Sequence, residues 1–419
     1  MTDVLYACFL RIARKKLYTK GKAMHCTRRV SEDIIWVGAD NRRLALFEAV
    51  YPVPKGMAYN SYLILDEKCT LIDTVDRAVT DVFLENIEGA LAGRTLDYLV
   101  VQHMEPDHSA TLFDVLDRYP GCTVVCNQKT YSMILAFKNK EVRARIVKEG
   151  DTLSLGRHSL RFIFAPMVHW PEVMVSYDAY SGTLFTADAF GVFGALGGAI
   201  FADEVDFARD HLDEARRYYC NIVGKYGAQV NSLLCKISKL KIKMLCPLHG
   251  FAWRKNICYY VNKYLLWARY EPEERGVMIA YASVYGNTEN VANALACRLF
   301  ERGIRSSLYD VSMTDASQIV SESFRYSHLV FASVTYNGGA FVSMENVLSE
   351  LAAHGLKNRS VALIENGSWA PSAAKKMREI LSPLVGIDFL CEDITFRSSM
   401  HTDTDNKIKE LAEIIVSTI

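Results

Sequence analysis

The stretch from Leu96 to His108 constrains the fold more than any other. Leu96-Asp97-Tyr98-Leu99-Val100-Val101 is a mostly apolar run that reads as a buried strand. After Gln102 comes His103-Met104-Glu105-Pro106-Asp107-His108, in which four of six side chains can bind a metal. Pro106 keeps both strand and helix from running through the cluster. Ser109 reads as an N-cap for a helix over 112–118. The four ligand types therefore sit on a loop at a strand's end, where rigid scaffolds carry sites.

Three more ligand types follow predicted strands in the same way. His169 follows a strand at 160–164, Asp188 one at 183–186, and His249 one at 244–246. Strand ends on one sheet edge share a surface, so all seven can converge. Four histidines and three carboxylates suffice for two metals at about 3.5–4 Å with one carboxylate bridging. His158, His211, His328 and His354 read as ordinary hydrogen-bonded residues.

The pattern around these strands divides the chain. Short strands at 34–37, 44–49, 60–65 and 70–72 have hairpin spacing. Helices at 79–91, 112–118 and 129–137, strands at 123–126 and 173–177, and helices at 212–223, 230–239 and 257–270 complete the first unit. Hairpins, crossover helices and no internal repeat predict sheets sandwiched between helices. Glu271-Pro272-Glu273-Glu274-Arg275 reads as a short charged linker. Beyond it strand and helix alternate strictly, with strands at 277–282, 306–309, 329–332, 361–364 and 389–391 and a last helix at 407–416, which predicts a doubly wound parallel sheet. The expected organisation is an N-terminal extension (1–30), a metal domain (31–270) and a second domain (276–419).

In the second domain Ser283-Val284-Tyr285-Gly286-Asn287-Thr288 links the first strand to a helix. Such a loop aims N–H groups and hydroxyls at one anion. It has no Gly-x-Gly-x-x-Gly and no lysine, which suits a single phosphate monoester such as that of FMN. Ser333-Val334-Thr335-Tyr336-Asn337-Gly338-Gly339 and Asn366-Gly367-Ser368-Trp369 follow the third and fourth strands and flank the same crevice. Tyr336 and Trp369 can offer flat surfaces to an isoalloxazine ring.

Composition excludes some classes. Lys plus Arg equals Asp plus Glu at 48 each, so no global charge points to nucleic acid or an anionic membrane. The 11 cysteines contain no Cys-x-x-Cys pair, which argues against a disulfide framework, a zinc ribbon or a built-in rubredoxin module and for a reducing cytoplasm. No apolar run reaches the ~20 residues that cross a bilayer; residues 189–202, with four glycines, read as a packed loop. The segment before about Met24 places an apolar patch ahead of Arg11, Arg14, Lys15 and Lys16, the reverse of a signal peptide.

The metal follows from Glu105. Dinuclear zinc hydrolases of this architecture carry His-x-His-x-Asp-His, and a carboxylate at the second position hardens the site toward iron. The charge of two ferrous ions is balanced by three carboxylates and a bridging hydroxide, so the core can be neutral.

His103-x-Glu105-x-Asp107-His108 with His169, Asp188 and His249 resembles the ligand set of flavodiiron proteins (A-type flavoproteins). The flanks Tyr59-Asn60-Ser61-Tyr62-Leu63-Ile64, His169-Trp170-Pro171 and Ala187-Asp188-Ala189-Phe190-Gly191 match as well, and the flavin loops resemble those of flavodoxin. The resemblance implies α/β and α+β architecture: a metallo-β-lactamase-like αββα sandwich followed by a flavodoxin-like sheet. It implies FMN and two iron ions. His103, Glu105 and His169 would bind one iron, Asp107, His108 and His249 the other, with Asp188 bridging; the histidine equivalent to His108 does not ligate in every relative. It implies an oxidoreductase that reduces dioxygen to water, nitric oxide to nitrous oxide, or both, as detoxification. It also implies a head-to-tail homodimer or dimer of dimers fed by a rubredoxin-like protein, a flavin reductase or reduced deazaflavin. The alternative is a dinuclear zinc hydrolase fused to a flavodoxin-like electron-transfer domain.

Overall fold

The computed structural model describes residues 25–419; most of the expected N-terminal extension lies outside them. Three large sheets, beside two two-stranded ones, organise the described residues. The first has seven strands in the order Arg28–Arg29, Ile34–Trp36, Tyr62–Ile64, Thr70–Ile72, Tyr98–Val100, Thr123–Cys126 and Ala144–Ile146. It begins antiparallel, at the hairpins, and becomes parallel from Thr70–Ile72 onward. The second has five, Thr152–Ser154, Ser159–Phe164, Met174–Asp178, Thr183–Phe185 and Met244–Cys246, with its last pair parallel. Every residue of the central strands Tyr62–Ile64, Thr70–Ile72, Met174–Asp178 and Thr183–Phe185 is buried, as expected of sheets covered on both faces.

The two sheets are joined at one edge. The Met174 N–H donates to Gln102 O (3.1 Å), and the Tyr62 ring lies 5.4 Å from that of Phe185. Asn60 ties three segments together: its Oδ1 accepts from Trp36 Nε1 (2.8 Å), and its Nδ2 donates to Pro247 O (2.9 Å) and Gly250 O (2.8 Å). A buried amide satisfied at both ends fixes the loop that carries His249.

The third sheet runs Ser306–Asp310, Glu274–Ala282, Tyr326–Val334, Arg359–Asn366, Ile387–Phe389, all parallel, with Ile394–Phe396 beside the far end of Arg359–Asn366. In chain order this is 2-1-3-4-5, the flavodoxin-like winding.

Several local expectations change. Pro106 starts a helical turn, Pro106–Ser109, so Asp107 and His108 stand on a helix and not on a loop; proline is tolerated at a first helical position because its missing N–H would have no partner there. Ser109 does not cap the next helix: its Oγ donates to Met104 O (2.8 Å), and Leu112–Arg118 follows Thr111 without a side-chain cap. The expected helix at 212–223 is an α-helix, Leu212–Tyr218, that widens into a π-helix, Tyr219–Val223. Within the supposed linker, Glu273 is buried. Its carboxylate accepts from Arg216 Nε, Lys263 Nζ (2.6 Å) and Trp267 Nε1 (2.6 Å), and a strand begins at Glu274.

Arg216 continues this network into the flavodoxin-like half through Glu322 (3.2 Å). Arg217 donates to Ser317 Oγ (3.0 Å). The buried Arg359 guanidinium donates to the carbonyls of Tyr270, Ser323 and Phe324. All these contacts use the helix Ala316–Arg325 and the first residue of strand Arg359–Asn366.

Candidate metal centre and flavin cleft

The parallel strands aim their carboxyl ends at one point. Asp73, just past Thr70–Ile72, accepts from the N–H of Gln102 (2.7 Å) and from its Nε2 (3.0 Å), which shapes the entry to the cluster. The Thr74 hydroxyl donates to His108 O (2.7 Å). The strands Thr183–Phe185 and Met244–Cys246 lie in parallel register, so Asp188 and His249 emerge side by side.

All seven ligand-type residues meet there, in two groups. His103, Glu105, His169 and Asp188 form one, and Asp107, His108 and His249 the other. Glu105 Oε2 is 3.1 Å from His103 Nε2 and 3.0 Å from His169 Nε2. Asp107 Oδ2 is 3.3 Å from His108 Nε2 and 3.2 Å from His249 Nε2. Asp188 spans both groups, with Oδ2 3.2 Å from His169 Nε2 and Oδ1 3.0 Å from His108 Nε2. His108 turns its Nε2 inward, 2.9 Å from His249 Nε2.

The donor chemistry fits a pair of hard-to-borderline metal ions. Asp107 Oδ1 is buried without a partner, and Asp107 Oδ2 and Asp188 Oδ1 face only histidine nitrogens, an arrangement that buried carboxylates adopt at a cost unless a cation compensates. Protons on the neighbouring histidines offer the same compensation. Burial by itself would depress His108 and His169; the adjacent carboxylates (Asp107 and Asp188 for the former, Asp188 and Glu105 for the latter) outweigh it and push both up to about 9. Burial likewise opposes ionisation of Asp188, but the histidines around it hold it well below the usual carboxylate range.

The surroundings are dry and aromatic. His249 is flanked by Phe47 (5.4 Å between centroids), Tyr59 (5.7 Å) and Tyr218 (5.6 Å), and its Nδ1 is 2.8 Å from Ala58 O. Trp170 stands edge-on to His103 at 5.4 Å. Sequence reasoning missed two residues here. The Tyr218 hydroxyl is buried with no partner, and burial, then the charges of Asp188 and the other carboxylates, keep it protonated. Glu48 stands at the mouth, where partial burial of its carboxyl and the adjacent Glu105 push it above the usual carboxylate range. Neither has a local motif; the only hint was an acidic residue amid apolar neighbours in Leu46-Phe47-Glu48-Ala49-Val50.

At the carboxyl ends of the third sheet a cavity of about 500 Å³ opens. It is lined by Ser283, Val284, Tyr285, Asn287 and Thr288, by Thr335, Tyr336, Asn337 and Gly338, and by Asn366, Gly367, Ser368 and Trp369. Val334, within the expected loop, also lines it, as do Ala370 and Ser398, which were not anticipated. Gly286, Ser333 and Gly339 do not line it. Gly286 caps the helix Asn287–Glu301 at a φ of 85°, which favours glycine. Ser333 Oγ accepts from the Phe341 N–H (3.0 Å). Gly339 closes the loop by pairing with Tyr336 (3.0 Å). The cavity joins a helix N-terminus, several hydroxyls and two aromatic rings, which fits a phosphate and a flat ring system. Asn366 Oδ1 is buried without a partner on that wall.

A dinuclear site on a metallo-β-lactamase-like sandwich, coupled in one chain to a flavodoxin-like cleft, defines a flavin- and metal-dependent oxidoreductase. Residues 57–250 match the ODP family beta lactamase model and residues 279–413 the flavodoxin model. The nitric oxide reductase of Moorella thermoacetica is 32% identical over 356 residues, 84% of this chain and 88% of that one. Rubredoxin oxygen:oxidoreductase of Desulfovibrio gigas superposes with a TM-score of 0.88 at 26% identity, covering 94% of this chain and 98% of the other. A flavo di-iron protein from Thermotoga maritima superposes at 0.86 with 25% identity and the same coverage. The chain belongs to the flavodiiron proteins, whose cofactors are FMN and a diiron centre.

Proposed function

We propose that this protein reduces dioxygen to water, nitric oxide to nitrous oxide, or both, at two irons held by His103, Glu105, His169, Asp107, His108 and His249 with Asp188 between them. The observation that carries the reading is the pair of facing ligand groups joined by Asp188. The metal centre belongs to residues 31–270 and the FMN to 276–419, with 1–30 as an extension. When bound, the flavin and the irons supply electrons and an open coordination face. The chain's own residues do the rest. The rings of Phe47, Tyr59 and Tyr218 exclude water beside His249, and the protonated Tyr218 hydroxyl, without an acceptor in the chain, is free to donate to a bound molecule. Glu105 at the second ligand position weighs against the zinc-hydrolase alternative.

Electrons reach the metal centre from a second copy of the chain. The contact of Arg359 with the Tyr270 carbonyl of the metal half lies at the start of strand Arg359–Asn366, whereas the flavin loops lie past its end, roughly 23 Å away at the usual rise per residue. The flavin rim exposes Tyr285 (92%) and Trp369 (86%), and the mouth of the metal pocket exposes Leu46 and Val50. Apolar rims at both sites suit a head-to-tail homodimer or a dimer of such dimers. The dimer is reduced by a separate donor such as a rubredoxin-like protein, a flavin reductase or reduced deazaflavin. Among the described residues no helix is long and apolar enough to cross a membrane, and ten cysteines are free, which supports a reducing cytoplasm.

A single turnover tests the reading. Protein fully reduced under anaerobic conditions should, on mixing with dioxygen, be reoxidised as dioxygen goes to water, and with nitric oxide should give nitrous oxide; the faster reaction names the preferred gas. Slow flavin reoxidation to peroxide alone, with no nitrous oxide, would overturn it. Turnover that persists unchanged in a monomer at high dilution would overturn the dimer.

A further inference from the structure

The two ligand groups are alike in type. Each has two histidines and one carboxylate of its own, and they share Asp188. Nothing in these donors alone makes one iron differ from the other. The difference lies one bond further out.

His103 Nδ1 is 2.8 Å from Glu172 Oε1, and the same oxygen accepts the Met104 N–H at 2.9 Å. Both side chains are buried, Glu172 being 1% exposed. The Glu172 carbonyl accepts from Asn127 Nδ2 (2.5 Å), which pins the segment in place. No Lys or Arg pairs with this carboxylate among the described residues, and its Oε2 has no partner. On the other side the outer contacts are neutral. His249 Nδ1 meets the Ala58 carbonyl, and His108 Nδ1 is buried without a partner.

We propose that Glu172 is a positioning residue that makes the diiron centre electronically unequal, so that the iron at His103, Glu105 and His169 is the first to be oxidised. The inference rests on the diiron reading above. A carboxylate on the outer nitrogen of a metal-bound imidazole fixes the proton on Nδ1, leaves Nε2 for the metal and raises its donor strength. In a buried setting the negative charge is poorly screened and favours the higher oxidation state of the nearer ion. One-electron oxidation of the diferrous pair, with the electron passing to a chemical mediator, therefore leaves the ferric ion on the Glu172 side. Reduction of the diferric pair by one electron reaches the same mixed-valent state.

Glu172→Gln tests this in the iron-loaded protein. The amide keeps the shape and an oxygen acceptor for both N–H groups but removes the charge. Wild type should show a mixed-valent EPR and Mössbauer signature in titrations with a chemical mediator. In E172Q the comproportionation constant of that state should fall at least ten-fold, about 59 mV for one electron, with iron content retained. An unchanged constant would reduce Glu172 to a loop staple and overturn the proposal. A coupled two-iron signal missing from wild type as well would instead sink the diiron reading itself. The zinc-loaded wild type gives a readout that needs no variant. NMR should find His103 metal-bound through Nε2, with a slowly exchanging proton on Nδ1; metal on Nδ1, or no such proton, would overturn the proposal.

Discussion

Asp188 is the residue on which the metal centre turns, because each of its oxygens faces a different ligand group. Asp188→Asn should therefore weaken both ions by at least ~10-fold rather than remove one, as metal analysis after dialysis would show. The protons that stand in for the metals give a pH dependence. His108 and His169 sit at about 9 in the metal-free protein, so each incoming ion displaces protons below that value, and apparent metal affinity should rise with pH until about 9. The same shift works oppositely on the metal-free protein. Both pKa values are raised above the ordinary histidine value, so the stability they contribute is complete below that value and is lost as pH rises through about 9. Metal-binding isotherms and thermal melts at a series of pH values check both signs. The seven ligands were legible in the sequence because their chemistry is dense and each follows an apolar run. Glu172 and Tyr218 were not, since each acquires its meaning from a partner that only folding brings close.

At the scale of elements, the turn from Leu212–Tyr218 into Tyr219–Val223 shows what periodicity conceals. One apolar pattern fits an α-helix throughout, yet the chain widens to π geometry where Tyr218 meets the metal pocket; such widenings recur at functional sites. Gly191 makes room for it. A Cβ there would come 2.5 Å from Tyr218 Cε1 and 2.6 Å from Cζ, and the ring is already hemmed in by Phe193 (5.1 Å) and His249. Gly191→Ala should cost about 1–3 kcal/mol, seen as a lower Tm, and should weaken metal binding by displacing the ring beside His249. Strands such as Ala144–Ile146 and Thr152–Ser154 escaped the sequence reading because three residues carry too little alternation to stand out. The long strands of the third sheet, apolar over most of their length and bounded by loops, were plain.

Across the whole molecule, the two halves are joined by buried charge. Arg216 pairs with Glu273 and Glu322 at once, and the sequence hid this because a run of acidic residues beside a proline looks like a solvated linker. Arg216→Leu would leave Glu273 to Lys263 and Glu322 to Arg325 and remove the charged bridge between the halves, at a cost of about 1.5–3 kcal/mol. Calorimetry should then resolve separate melting of the flavin half, and proteases should cut near Pro272. The same arrangement bears on any attempt to move the parts. A flavin half cut out for grafting onto another metalloenzyme would carry Glu322 with Arg325 but without Arg216, and Arg359 without the Tyr270 carbonyl that accepts from it, and the remaining metal half would keep Arg216 without Glu322. The halves look like interchangeable cassettes in outline, but their joint is keyed: a chimera will hold only if its builder transplants the lock together with the key.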